Sequence, residues 1–259
     1  ANGIDARAYH GSVVTDGFEN SNSYRQHLEE LLLNNQLKVL VATTALGMGY
    51  DKPDLSFVIH YQAPGSIVAY YQQVGRAGRG IAHAVGVLMS GVEDEDIHAF
   101  FRDSAFPSEA HVNEILWVLE QSDGLSIRSI EEQTNLRHGQ IEKVLKLLVV
   151  EPRSPVVKIG SLWYRTPNPY QLDRARIAHL TVQRQAEWEQ MECYLANKRC
   201  LMQFLAEALD DPHAQPCGRC AVCLGHPVLP LEVPRNTLIA AKRFVRYSEM
   251  PLELNKQWD

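Results

Sequence analysis

The chain has 259 residues, five cysteines and a formal charge of −6, with 45% hydrophobic and 22% charged residues. That is long enough for two or three domains with real cores, and the composition excludes wholesale disorder. No apolar run approaches the ~18 residues of a membrane span. The opening Ala1-Asn2-Gly3-Ile4-Asp5 lacks the basic-then-apolar pattern of a signal peptide. A reducing setting, cytoplasmic or nuclear, is therefore expected, in which cysteines serve as metal ligands or buried thiols rather than disulfides.

Taken alone, the acidic total counts against a nucleic-acid binder, but the charge is unevenly spread. Residues 91–135 hold eleven Asp and Glu against Arg102 and Arg128, a local charge of −9. Residues 137–184 hold nine Lys and Arg against Glu142, Glu151 and Asp173, a local charge of +6. A segment of one sign can bind phosphate whatever the total.

In chain order, Ile4–Tyr9 reads as a short strand and Asn22–Asn35 as a helix with Leu28, Leu31 and Leu32 on one face. Leu37–Ala42, Phe57–Ile59 and Val85–Leu88 are short apolar runs of the kind found in buried parallel strands, with a helical pattern over Ser66–Arg79. Alternating strands and helices predict a parallel α/β sheet over residues 1–103, with chemistry at the carboxyl ends of its strands. Residues 91–107 read as an acidic linker. Three helical patterns over 108–121, 127–134 and 137–150 follow, with two β pieces, Val156–Ile159 and Leu162–Arg165, joined by Gly160-Ser161. That order predicts a winged-helix-like domain over 104–168. A helical stretch over about 171–209 leads into a cysteine cluster, giving a helical zinc-binding module over 169–230. The tail, 231–259, has no assigned fold.

Two constellations lie in the α/β part. Val41-Ala42-Thr43-Thr44-Ala45-Leu46-Gly47-Met48-Gly49-Tyr50-Asp51-Lys52-Pro53 follows a strand. Its glycines allow close backbone approach to a ligand, and Asp51 offers an acceptor for a ribose hydroxyl. An ordinary β–α loop accounts for the segment equally well. The second is Gln72-Gln73-Val74-Gly75-Arg76-Ala77-Gly78-Arg79-Gly80. On a continuous helix Gln72, Arg76 and Arg79 share one face, and two guanidiniums there suit a triphosphate. The alternative is a solvated arginine face.

The third constellation is Cys200-x16-Cys217-x2-Cys220-x2-Cys223. Four thiolates at this spacing favour a closed, structural Zn²⁺ site; free thiols are the rival. Cys193 is left over, on the same helical face as Cys200 if the helix continues. His213 is a spare candidate ligand. In the winged-helix-like segment, Lys143 and Lys146 decorate the third helix and Lys158 flanks the hairpin. Trp163 either stacks on an exposed base or packs under the wing.

The VATTALGMGYDKP and QQVGRAGR segments together resemble motifs V and VI of superfamily 2 helicases, and the wording, with Tyr9-His10-Gly11 upstream, is most similar to the RecQ family of DNA helicases. The resemblance covers residues 4–103 as a second RecA-like lobe, and the cysteine wording also resembles the RecQ zinc module. It implies an ATP-dependent 3′→5′ DNA helicase acting on single strands and duplex junctions in DNA repair and recombination. Arg79 would be the arginine finger, with Arg76 and Gln72 beside it. Asp51 and Gly49 would face the nucleotide, and Thr43 would couple ATP to DNA. Three departures stand out. GRAGR is followed by Gly80-Ile81 rather than Asp-Gly. The helix-and-hairpin segment precedes the cysteines, whereas the family has the reverse order. No G-x-x-x-x-G-K-[ST] or DEAH-like motif occurs. The expectation is a fragment inactive alone, with ATP and Mg²⁺ held on a first lobe outside it; a non-catalytic DNA-binding module and an RNA helicase are the alternatives.

Overall fold

The computed structural model describes residues 4–13, 17–46 and 50–247. The Gly47–Gly49 loop, and with it the candidate Gly49, lies outside the described residues, as does the terminal Trp258-Asp259. The chain divides into two compact units, residues 1–195 and 196–259.

The first unit begins with two strand–helix–strand repeats. β1 (Ala6–Tyr9) pairs in parallel with β2 (Val39–Ala42), in register Ala6↔Val39. Between them runs α1 (Ser21–Leu33). Asn20 starts it, its Oδ1 accepting from the backbone N–H of Asn22 and Ser23 at 2.9 and 3.0 Å. The predicted face buries Leu28 and Leu32, and Leu28 packs with Tyr9 and Leu37. β3 (Phe57–His60) pairs in parallel with β4 (Val85–Leu88), and α2 (Ile67–Val74) crosses between them. α2 lies so close to β4 that a Cβ at Gly86 would collide with Val74. Parallel strands joined by helical crossovers are the expected α/β arrangement; among the described residues they form two pairs rather than one continuous ladder.

Residues 91–107 are not a linker. α3 (Glu93–Asp103) occupies most of them, with Glu93, Asp94, Glu95 and Asp96 in its first turn and Arg102 in its last. Acid at the N-terminal end and base at the C-terminal end both favour the helix dipole, so this charge order builds a helix. Asp94 is buried and accepts from the Ala63 backbone N–H at 3.1 Å and from Ser90 Oγ at 2.9 Å.

Next come α4 (Glu109–Glu120), α5 (Ile127–Gln133) and α6 (His138–Val149), the first two capped by Ser108 and Ser126. β5 (Val156–Ile159) and β6 (Leu162–Arg165) form an antiparallel hairpin that turns at Gly160, whose φ of +61° suits glycine. Leu125, between α4 and α5, adds a bridge to Trp163 through N–H···O bonds of 2.9 and 2.8 Å. Ile115, Leu119, Ile130, Ile141, Leu145 and Leu148 fill the core, closed from the hairpin side by Val156 and Trp163.

The long helical stretch predicted over 171–209 is broken. α7 (Arg174–Leu195) ends the first unit, burying Trp188, Met191 and Tyr194 as it packs on α2 and α3. The second unit holds α8 (Leu201–Glu207), α9 (Ala221–Leu224) and α10 (Arg235–Tyr247). The tail segment therefore contains a helix. No helix among the described residues is long and apolar enough to cross a membrane.

Candidate nucleotide-facing and metal sites

The helix carrying the arginine motif ends earlier than its spacing suggests. α2 stops at Val74, capped by Gly75, and residues 75–80 are turns in which Gly78 takes a φ of +80°. Gln72 stays on the helix, exposed, while Arg76 and Arg79 leave it. The single helical face expected for all three is thus corrected: the helix ends at Gly75, and Gly78 turns the chain through the left-handed region.

That break brings the two motifs together. The N–H of Gly78 donates to the Leu55 carbonyl at 3.0 Å, and that of Gly80 to the Pro53 carbonyl at 2.7 Å. A Cβ at position 80 would sit 2.8 Å from Pro53 Cβ. The glycine found where the family pattern has Asp thus fits this close approach. Arg79 Nη1 donates to Asp51 Oδ1 at 2.9 Å, and Nε to the Gly75 carbonyl at 3.3 Å. Arg76 is differently placed, its Nη1 buried with no hydrogen-bond partner among the described residues. A buried guanidinium N–H without an acceptor is costly, and an anion would satisfy it. Thr43 lies just past β2, exposed, its N–H donating to the Tyr9 carbonyl at 3.1 Å and its Oγ1 accepting from Ala45 N at 3.3 Å.

Two supporting residues were not singled out from sequence. Lys52 is 5% exposed, and its ammonium donates to Asp54 at 2.7 Å, Asn35 at 2.8 Å and the Leu33 carbonyl at 3.3 Å, tying the Asp51 segment to the end of α1. Asn35 Nδ2 in turn donates to Asp54 Oδ2 at 2.8 Å, and the bonds from Lys52 and Asn35 hold the Asp54 carboxyl below its ordinary range. Gln73, not Gln72, faces inward, its Oε1 2.8 Å from His60 Nε2.

In the second unit, Cys200, Cys217, Cys220 and Cys223 place their sulfurs within 4.8 Å of one another, and Cys200 Sγ lies 3.9 Å from Cys220 Sγ. Tetrahedral Zn–S bonds of ~2.3 Å require sulfurs spaced on this scale. Backbone N–H groups aim at the sulfurs: Cys217 N at 3.2 Å and Gln203 N at 3.4 Å from Cys200, Cys220 N at 3.3 Å from Cys217, Leu201 N at 3.4 Å from Cys220. Burial raises the Cys220 thiol, but the N–H groups of Cys223 and Leu201 together with the thiols of Cys223 and Cys217 outweigh it and bring it to about 6. Burial and its bonds to Cys220 and Cys200 push Cys223 up to about 12. Cys200 is the N-cap of α8, not a residue of the preceding helix, so the shared face expected for it and Cys193 does not exist. Cys193 is exposed on α7, and His213 is not among the clustered ligands.

The three candidate lysines of the helix-and-hairpin segment are exposed but engaged. Lys143 Nζ donates to the Ser104 carbonyl, Lys146 pairs with Glu142 at 3.0 Å, and Lys158 lies 5.6 Å over the Trp163 ring. Trp163 itself is 8% exposed and belongs to the core. Of the two roles weighed for it, the structure shows the packing one; its ring is not presented for stacking on a base.

Residues 1–80 match the helicase conserved C-terminal domain. The ATP-dependent DNA helicase RecQ of Synechocystis is 31% identical over 235 residues, 86% of this chain and 44% of that protein. The RecQ of Bacillus subtilis is 38% identical over 99 residues, 38% of this chain and 16% of that protein. An Acanthamoeba polyphaga mimivirus protein that bears an ATP-dependent RNA helicase name is 51% identical over 59 residues, 23% of this chain and 11% of that protein. The chain spans less than half the length of each of these relatives. With its two motifs joined and its cysteines gathered, the chain is similar to the C-terminal region of RecQ-like superfamily 2 helicases.

Proposed function

We propose that this chain is the ATP-responsive C-terminal half of an ATP-dependent DNA helicase that moves 3′→5′, with DNA repair and recombination as its setting. Its α/β part would close on a first lobe that holds ATP and Mg²⁺. Arg79 and Arg76 would meet the phosphates, Gln72 and the Asp51–Gly49 segment the rest of the nucleotide, and Thr43 would pass closure to the DNA backbone. ATP supplies the phosphoryl group; the chain supplies positive charge where negative charge develops on it. The observation that carries this reading is the Arg79–Asp51 bond, with the backbone bonds that fasten the arginine turn to the Pro53–Leu55 segment.

The accessory parts fit a DNA-handling role. Three helices with a hairpin and the Leu125–Trp163 bridge favour a winged helix over 104–168, with Lys143, Lys146 and Lys158 as the DNA-facing charges and Trp163 supporting the hairpin from beneath. The four cysteines would hold one structural Zn²⁺, which closes the loop between Cys200 and Cys223. The partners are single-stranded DNA and duplex junctions, in the cytoplasm or, in a eukaryote, the nucleus.

The test is a protein with the first lobe joined to this chain. It should show ATPase stimulated by single-stranded DNA and unwinding of a 3′-tailed duplex, while the 259-residue chain alone shows neither. Stimulation by RNA in place of DNA would favour the RNA-helicase reading, to which the mimivirus likeness points.

A further inference from the structure

A cavity of about 300 Å³ opens where the N-terminus of α2 meets α3 and α7. It shares no residue with the candidate nucleotide or metal sites. Two of its lining residues, Arg102 and Trp188, each bury a donor that lacks an acceptor among the described residues. Arg102 donates through Nη2 to Glu95 at 2.9 Å, leaving Nη1 buried and without a partner among the described residues. Trp188 is 3% exposed, and its indole N–H is likewise buried and unpartnered. His98, its ring 4.1 Å from Trp188, uses its Nε2–H on the Ala63 carbonyl at 2.8 Å. That bond holds the pair of rings in place.

The rest of the wall adds positive potential. Arg184 is exposed, and Ser66 caps the first turn of α2, where helix N–H groups favour an anion. The one carboxylate of the lining, Glu187, takes the Gln183 amide at 3.3 Å. Two buried donors without acceptors and an exposed guanidinium beside them suit a ligand rich in acceptor oxygens.

The surroundings narrow the source of those oxygens. Phe101, on the rim, is 62% exposed and offers a face to a base. Arg184 lies 5.6 Å over Phe106, and Phe106 lines a second cavity of about 390 Å³ with Lys143 and Lys146. Aromatic rings interleaved with cations are the features that bind a single strand. We propose that the first cavity is a phosphodiester subsite for a nucleic-acid strand, with Arg102, Arg184 and the Trp188 indole N–H as its donors. The oxyanion chemistry stands on the cavity itself; only the strand as its source rests on the function proposed above.

The test uses the full chain, following the Trp188 indole N–H resonance during titration with inorganic phosphate and with mixed-sequence single-stranded DNA. Both should move it. Arg184→Gln, at an exposed position where folding is not at stake, should weaken DNA binding several-fold at low salt, equally for different sequences. It should also lower the salt-dependence slope by about one. DNA binding with the resonance still and Arg184→Gln silent would overturn the subsite while leaving DNA handling intact. A shift with phosphate but not with DNA would overturn the nucleic-acid assignment. A resonance unmoved by either would overturn the proposal outright.

Discussion

Arg79 Nη1 sits 2.9 Å from Asp51 Oδ1, so the last arginine of one motif is held by the carboxylate of the other across 28 residues of sequence. Both partners are about half exposed, and such pairs contribute about 0–1 kcal/mol to stability. Arg79→Ala should therefore leave the melting temperature nearly unchanged. In a protein carrying both lobes it should lower DNA-stimulated ATPase by ~10³-fold or more. Arg79→Lys should not restore the rate, because an ammonium lacks the planar fork. Asp51→Asn should cost less, raising KM for ATP more than it lowers kcat. Steady-state ATPase beside thermal melts checks all three, and a large melting shift for Arg79→Ala would make its role structural.

The cysteine cluster predicts a stoichiometry and a split. One Zn²⁺ per chain is expected by elemental analysis. Metal coordination requires deprotonated thiols, so binding should weaken as the pH falls and release protons as it occurs. Cys217→Ser or a strong chelator should remove the ion and loosen residues 196–247, leaving residues 4–195 folded, since the two units are separately compact. Cys193→Ser should retain the full metal content, because Cys193 lies on α7 outside the cluster. Hydrogen exchange by mass spectrometry resolves the two regions.

What the sequence made legible was what local pattern encodes. Short apolar runs marked β2 to β4, and the spacing of the cysteines marked a cluster that could hold a metal ion. The end of α2 was not legible, because Gln72, Arg76 and Arg79 keep helical spacing while Gly75 and Gly78 end the helix. α3 was hidden by its acids, which read as a linker until Asp94 is seen buried against Ala63. The Arg102, Arg184 and Trp188 cavity joins α3 to α7. No local periodicity links positions so far apart; only tertiary packing does.

The helix-and-hairpin segment offers a contrast between interior and surface. Leu145 is fully buried in its core, and Leu145→Ala should cost about 2–5 kcal/mol. Trp117, although on α4 of the same segment, is largely exposed, and Trp117→Ala should stay within about 0.5 kcal/mol. Gly124→Ala should behave like a core change despite removing no contact. Its φ is +104°, and an added Cβ would run into the Tyr164 ring, so strain and overlap together should cost about 1–3 kcal/mol. Urea denaturation of the three variants separates the effects.

His60 supplies a pH dependence. It is buried at the end of β3, its ring edge-on to Tyr70 at 5.0 Å and its Nε2 against Gln73. Burial lowers its pKa below the ordinary 6.5, and the bond to Gln73 only partly opposes that. The unfolded chain therefore binds a proton here that the folded chain resists. Stability from this site is present above about pH 6.5 and is lost as the pH falls toward the depressed folded value, with no further loss below it. Other histidines titrate in the same range, so the difference between chains is the measurement. His60→Gln should be less stable than the native chain at pH 7.5, and the gap should narrow as the pH is lowered from 6.5 toward 5. A gap that stays constant from pH 5 to 7.5 would mean His60 is not held neutral by its burial.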